Sequence, residues 1–461
     1  MKRVYFDYAA STPVDPRVEK AMRPYFLKKF GNAGSLHSFG QEASSAMDNG
    51  REIIAKAINA DFREVVFTGS ATEANNLALR GAIAELRGQI RGTTRTDFRV
   101  SQREVSVGQR PKLIVSAVEH ESVLETARDL AASFKEASLA PLGRESDGIE
   151  VVYLPVDRNG IVKLDALKSA LDERTILVSV MYANNEIGVI QPIAEIAKII
   201  KEFSSTNNES GTNQRIRKFE THSLFGDRYP LFHTDAVQAF QFLDCDVNRL
   251  GVDMMTLSAH KIYGPKGIGA LYVRGSRVQG IGYSKKNSLH PNPYTLTPVI
   301  TGGNQEFGLR SGTENIPSIV GFAKAVELSV ANREPEFQRI KRLKDYFWNE
   351  ILKMYPRAEI NGPDERKEKR TKNNAPTCLP NILNIYFPDH EAQYLLVKFD
   401  LAGIAVSAGS ACSARSAQPS YVITSLGFPE KRAKQSIRFS FGRQTTQKDI
   451  DSALGVIRKL L

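Results

Sequence analysis

The sequence predicts an α/β protein: a large domain with a mainly parallel sheet between helices, and a smaller α+β domain beside it. Three observations point there. Short β-branched runs alternate with helical stretches as far as Leu257. Small or polar residues follow the carboxyl ends of those runs. Past about Glu327 the alternation stops and a long charged helix opens a different pattern. At 461 residues the chain exceeds one average domain. The expected division is a large domain over 15–330 and a small domain made of 1–14 and 331–461.

In order, Tyr5 to Pro13 reads as an extended arm ending in a turn, and Pro16 to Phe30 as a helix. Gly31 to His37 is a Gly-rich loop, and Phe39 to Ala60 a long amphipathic helix. Strand Glu64 to Thr68 then precedes a helix from Glu73, strand Lys112 to Ala117 a helix from Ser122, and strand Thr175 to Met181 a helix from Ile193. Strands Tyr229 to His233 and Val252 to Leu257 follow. Such alternation builds a parallel sheet covered on both faces, and ligands bind outside the carboxyl ends of its strands. The smaller domain reads as helix Glu334 to Met354, strand Asn381 to Phe387 and a helix from Glu391. Strand Gly403 to Ser407, a Gly/Ser loop with Cys412, a helix, strand Ser436 to Ser440 and a helix from Gln447 complete it. Polar stretches near 87–110, 133–147 and 204–227 break the pattern and read as surface insertions, and Asp364 to Lys372 as a charged loop.

A hydrophobic content of 41% with 25% charged residues describes a globular protein with a large core. No apolar run approaches the ~18 residues that span a bilayer, and the chain enters Val4 to Asp7 directly, so the expectation is a cytoplasmic protein without a membrane partner. Three cysteines, Cys245, Cys378 and Cys412, suit neither a disulfide framework nor a metal site. The formal charge of +11 lies partly in the insertion-like stretches. Those stretches are either a solvated surface, the plainer expectation, or a contact for tRNA or an acidic carrier.

The candidate chemistry lies in the turns. Ser258-Ala259-His260-Lys261 follows an apolar strand, which puts Lys261 at a strand end facing a cleft. A lysine so placed can form a Schiff base with a carbonyl cofactor; a surface lysine in a turn is the alternative. Thr68 to Asn76 joins strand to helix through small residues, so backbone N–H groups and Thr72 can meet a phosphate, unless Thr72 merely caps the helix. His120 ends the next strand, placed to stack on a flat ring or to move protons, or to serve structure alone. The Asn184-Asn185 pair offers amide donors or simply forms a turn. Asp235 is a carboxylate at a cleft floor, where it needs a cation such as a protonated pyridine nitrogen, or else caps a helix. Together these are the parts that pyridoxal phosphate requires of a protein.

At this point the chain resembles the cysteine desulfurases, pyridoxal-phosphate enzymes of aminotransferase class V that feed iron–sulfur cluster assembly. The resemblance runs almost end to end, through Tyr5 to Pro13, Gly31 to His37, Gly69 to Asn76, His120, Asn184 to Gly188, His233 to Gln238, Ser258 to Gly267, Arg310 to Pro317, Ser407 to Ala414 and Ile437 to Arg443. Ser-Ala-His-Lys and Gly-Ser-Ala-Cys are its most specific segments; the three insertions depart from the family's compact length. It implies a pyridoxal-phosphate-dependent transferase of fold type I. It implies that Lys261 bonds the cofactor, that Ala71, Thr72, Ser258 and His260 hold its phosphate, that His120 stacks on its ring, that Asn185 and Gln238 contact its oxygens, and that Asp235 pairs with its ring nitrogen. Arg438, with Asn185, would hold the carboxylate of L-cysteine. Thr313 would reach the phosphate of a partner subunit, which implies a homodimer with shared sites.

By the same resemblance Lys261 moves the α-proton, and Cys412 attacks the substrate sulfur as a thiolate and keeps it as a persulfide while L-alanine departs. Gly409, Ser410 and Ser413 are expected to make the Cys412 loop flexible and exposed, with Cys245 and Cys378 structural. The sulfur would pass to an iron–sulfur scaffold protein or another acceptor. Two rivals stand beside this reading: a fold-type-I aminotransferase or lyase without a protein thiol, and a sulfur-relay scaffold. The joint presence of Lys261, Asp235, His120 and Cys412 weighs against the second.

Overall fold

The computed structural model describes residues 3–90, 110–136, 149–209, 230–275, 296–366, 376–409 and 419–461. Cys412 lies outside the described residues, as do most of the three insertion-like stretches and the second half of the charged run after Asp364. The strands are β1 (Val4–Tyr5), β2 (Val65–Thr68), β3 (Lys112–Ser116), β4 (Glu150–Leu154), β5 (Thr175–Ser179), β6 (Leu231–Asp235), β7 (Met254–Ser258), β8 (Gly269–Val273), β9 (Glu359–Ile360), β10 (Ile382–Tyr386), β11 (Ile404–Ala405) and β12 (Ser436–Ser440).

Seven strands form the large sheet in the order β2-β8-β7-β6-β5-β3-β4. Every residue of β2, β3 and β5 to β8 is buried. Alternate residues feed opposite faces. Val65, Phe67, Ile114, Val178, Phe232 and Met255 join the core under helices Ser38–Ala57 and Ile316–Met354. Val66, Leu113, Val115, Leu177, Leu231 and Met254 join the core under helices Ala71–Ile90 and Glu121–Glu136. A strand buried on both faces has no polar alternation to show, which is why these runs read as continuous β-branched stretches.

The sheet is mainly parallel, as the sequence predicts, except at β8, which runs antiparallel to both β2 and β7. The reversal follows from the turn after Lys261, where Tyr263 (φ 68°) and Gly267 (φ 78°) take left-handed conformations and bring the chain straight back without a crossover helix. Sequence patterning finds neither β8 nor β4; β4 lies at the sheet edge and is only partly buried. The helix expected over Pro16 to Phe30 is two helices, Pro16–Met22 and Pro24–Leu27, because Pro24 has no N–H to continue the first. The helix expected from Glu334 begins at Ile316 and runs through Pro335.

The second sheet has the antiparallel order β12-β10-β9. It packs with the C-terminal helix Gln447–Leu460 around a separate aromatic core of Phe6, Phe347, Phe387, Phe399, Phe439 and Phe441. The chain's start belongs here: β1 pairs in parallel with β11, and Asp7 bridges to Ser440. Among the described residues, no helix is long and apolar enough to cross a membrane.

Two buried polar groups tie the large sheet together. The His233 ring sits between the hydroxyls of Ser179 (2.9 Å) and Thr256 (3.0 Å), linking β5, β6 and β7. Burial holds its pKa down at about 4. Arg51 forms a fully buried bidentate pair with Glu306 at 2.6 and 2.7 Å, and Glu306 also accepts the Phe67 N–H at 2.7 Å. The pair holds a segment in which Asn304, Glu306 and Phe307 all have positive φ.

Both groups make predictions. Between about 6.5, the ordinary histidine value, and about 4, the unfolded chain binds a proton at residue 233 that the folded chain refuses. Stability is therefore present above pH 6.5 and lost as pH falls toward 4. Denaturation at several pH values should show this acid slope, and His233→Gln should remove up to about 1.4 kcal/mol per pH unit from it. Glu306→Ala leaves a buried cation uncompensated and should cost about 3–5 kcal/mol in urea unfolding, whereas a surface substitution such as Glu19→Ala should cost under about 1 kcal/mol.

Candidate active site

The turns after the parallel strands converge on one hollow, and its floor is Asp235, the last residue of β6, at 5% exposure. Its Oδ1 accepts the Val237 N–H at 3.0 Å, in a turn rather than at the start of a helix. Its Oδ2 accepts from Asn75 Nδ2 at 2.9 Å. The same nitrogen donates to Ser122 Oγ at 2.8 Å, and Ser122 Oγ lies 2.8 Å from His120 Nδ1. His120 Nδ1 also accepts the Ser122 N–H at 3.1 Å. A ring nitrogen that accepts a backbone proton carries none itself, so the neutral ring is protonated on Nε2. Burial lowers the His120 pKa, with Asp235 opposing and Lys261 assisting.

Lys261 closes the short turn Ala259–Lys261 immediately after β7. Its Nζ donates to the carbonyls of Ala9 (2.6 Å) and Ala10 (2.9 Å), and Gln238 Nε2 donates to the same Ala9 carbonyl at 3.0 Å. The surface alternative for this lysine therefore fails. The extended arm read from Tyr5 to Pro13 lies across the hollow and is stitched there, with Thr12 N and Oγ1 both bonded to the His260 carbonyl at 3.0 Å.

A pocket of about 330 Å³ opens beside them, lined by Ala10, Ser11, Ser70, Ser258, His260 and Lys266 among others. Ser70, not Thr72, caps the helix: its Oγ accepts the Glu73 N–H at 3.1 Å. The Thr72 hydroxyl and the first helical N–H groups, of Ala71 and Thr72, are thus not consumed by capping. Gly269 makes this possible, because a Cβ there would stand 2.7–2.9 Å from the backbone of Ser70 and Ala71. Burial and the charges of Lys261 and Lys266 hold His260 down at about 4, so it meets a ligand as a neutral imidazole.

Across the hollow, Arg438 is 1% exposed, with Nη1 on the Asn185 carbonyl and Nη2 on Asp7 Oδ1, both at 2.8 Å. Its Nε is buried without a hydrogen bond, and so is Asn185 Oδ1. Buried polar atoms left over in an otherwise satisfied wall have hydrogen-bonding capacity to spare for a polar ligand. Thr313 is exposed; its segment is tied to the start of the helix that begins at Ala71 through Arg310 Nε to Glu73 Oε1 at 2.8 Å.

The described flanks of the Cys412 segment reach the same walls. Ser407 exchanges backbone hydrogen bonds with Arg438. On the other side, Ser420 Oγ donates to Glu186 Oε2 at 2.5 Å and the Tyr421 hydroxyl to the Glu119 carbonyl at 2.6 Å, next to Asn185 and His120 respectively. Cys245 and Cys378 are buried, and burial raises both thiol pKa values, Cys245 to about 12. The structure thus brings His120, Asp235, Gln238, His260 and Lys261 together, with Asn185 and Arg438 opposite. Sequence reading missed Asn75, Ser122, Asp7 and Glu73 as site residues, although three lie inside segments it singled out and the fourth, Ser122, stands two residues after His120. Among the described residues, no cluster of His, Cys, Asp and Glu is arranged to hold a metal.

Comparison with known proteins agrees with this geometry. The model of the family described as Aminotransferase class-V matches residues 4–90, 89–205 and 202–453. Cysteine desulfurase IscS of Dictyoglomus turgidum is 39% identical over 462 residues, covering 100% of this chain and 95% of the relative. A solved structure described as a NifS-like protein superposes with a TM-score of 0.74 at 30% identity, covering 99% of each chain. Another, described as SspA in complex with cysteine, superposes with a TM-score of 0.66 at 31% identity, covering 95% of this chain and 98% of the other. With a family match over nearly its whole length and a full-length relative at this identity, the chain belongs to the class-V aminotransferases and, within them, to the pyridoxal-phosphate-dependent cysteine desulfurases.

Proposed function

We propose that the hollow binds pyridoxal phosphate and L-cysteine together, and that Cys412 removes the sulfur as a persulfide while L-alanine is released. The observation that carries this reading is the meeting of an amine, a buried carboxylate and a neutral imidazole at the carboxyl ends of β3, β6 and β7, with an arginine facing them. The bound cofactor supplies a carbonyl for amines and a ring that withdraws electrons from the substrate α-carbon. SspA, a relative solved in complex with cysteine, supports the substrate class.

The residues present fit that cofactor. Ala71, Thr72, Ser258 and His260 would hold the phosphate, His120 would lie on the ring, Asn185 and Gln238 would meet its oxygens, and Asp235 would take its ring nitrogen. The Thr72 hydroxyl, which does not cap the helix, supports the place of the phosphate. Lys261 would bond the cofactor and, once released, carry the α-proton; the Ala9 and Ala10 carbonyls give its ammonium form a place to rest. Arg438 would grip the substrate carboxylate with the N–H groups that Asp7 and Asn185 leave over.

Cys412 Sγ, as a thiolate, would then attack the substrate sulfur: an S–S bond forms, the substrate C–S bond breaks, and a proton returns to the carbon to give alanine. Both flanks of its segment are anchored beside Arg438, Asn185 and His120, which supports this role. The other two thiols are poor nucleophiles where they lie. The reading also includes the division into domains 15–330 and 1–14 plus 331–461, supported by the separate aromatic core. It includes a homodimer in which Thr313, exposed here, serves the partner's phosphate site.

Purified protein with L-cysteine and a thiol reductant should form alanine in an amount equal to protein persulfide plus the sulfide that the reductant releases, without an α-keto acid acceptor. Dependence on such an acceptor would favour an aminotransferase. Cys412→Ala should abolish sulfur release while the visible absorbance of the bound cofactor stays; sulfur release at the wild-type rate would remove Cys412 from its role. Lys261→Ala should lose the covalent attachment, read as cofactor that gel filtration strips away.

A further inference from the structure

Asn75 is fully buried, one turn into the helix that begins at Ala71. Its Nδ2 spends both protons, one on Asp235 Oδ2 at 2.9 Å and one on Ser122 Oγ at 2.8 Å. Its Oδ1 is buried with no hydrogen-bond partner. The orientation of the amide is forced, since a flip would point an acceptor oxygen at a carboxylate that can only accept. Ser122 Oγ, having accepted from Asn75, has its own proton for His120 Nδ1 at 2.8 Å. Every donor in this chain points away from Asn75, toward the acid on one side and the imidazole on the other.

We propose that Asn75 is a positioning residue that aligns the Asp235 carboxylate and, through Ser122, the His120 ring, so that one amide sets both against opposite parts of the same cofactor. The proposal rests on the reading that this hollow holds pyridoxal phosphate. Asp235 hangs from β6 and His120 follows β3, with β5 between them in the sheet, so no backbone pairing fixes one side chain relative to the other. With Asn75 on Oδ2 and the Val237 N–H on Oδ1, the plane of the carboxylate is fixed, which sets how a ring nitrogen can approach it.

The test compares wild type, Asn75→Ala and the isosteric Asn75→Asp. Each is stripped of cofactor, checked for folding by thermal denaturation of the apo form, and titrated with pyridoxal phosphate. Losing a buried hydrogen bond to a charged group should weaken cofactor binding about ten-fold or more. The pH at which the bound cofactor's absorbance changes should move by about one unit. Ser122→Ala, which cuts only the arm to His120, should weaken binding less than Asn75→Ala. Folded Asn75 variants with the wild-type dissociation constant and the wild-type absorbance titration would overturn the proposal. Asn75→Asp keeps the shape of the side chain and decides the matter if Asn75→Ala does not fold. Failure of the wild type to bind pyridoxal phosphate would instead overturn the reading of the pocket.

Discussion

Asp235 ends a central strand at 5% exposure, so its charge has to be met by donors rather than by water. One oxygen takes a backbone N–H two residues on, and the other takes the Asn75 amide from a helix on the far side of the turn. Those bonds hold the carboxylate aimed, with lone pairs left for a cation. The Asn75 amide then reaches Ser122, and Ser122 reaches His120. The acid, the imidazole and the helix that begins at Ala71 are therefore one connected assembly. Moving any part would leave a buried polar group without its partner, which is costly in a dry interior.

The second constraint comes from the chain's first residues. Val4 and Tyr5 pair with β11 on the side of the small sheet, and Asp7 binds Arg438 of β12. Two residues later the Ala9 carbonyl accepts from both Lys261 and Gln238, which follow strands of the large sheet. A single extended arm thus spans both sheets and lines the hollow between them. This is why the hollow has two different walls: a wall of large-sheet strand ends, and a wall that carries Arg438 and the flanks of the Cys412 segment.

Histidine shows how context sorts residues of one type. His233 has both ring nitrogens occupied by hydroxyls in the sheet interior and serves the fold. His120, after β3, has Nδ1 committed and its other nitrogen directed by that commitment. His260 is kept neutral by burial first and by the charges of Lys261 and Lys266 second. The cysteines divide in the same way, since burial alone disqualifies Cys245 and Cys378 as thiolates.

The sequence by itself determined the alternation of buried strands and helices, because runs like Thr175–Ser179 and Met254–Ser258 are uncharged and mostly apolar. It also determined the chemistry-bearing turns, because Lys261, His120, Asp235 and Asn185 each stand directly after such a run, where a sheet presents its ligand edge. The resemblance carried by Ser-Ala-His-Lys and Gly-Ser-Ala-Cys supplied the roles, and for Cys412 those local words remain the main ground. Only the tertiary structure decided the reversal at β8, since a left-handed residue such as Tyr263 has no pattern to announce it. The Arg51–Glu306 pair was invisible for another reason: its partners stand 255 positions apart, and nothing local marks either as buried. The same holds for Asn75 with Asp235, 160 positions apart, and for Asp7 with Arg438, 431 positions apart. Periodicity reports which face of an element is buried. It carries no record of which polar group meets which across the core, and that meeting is settled only when the chain has folded.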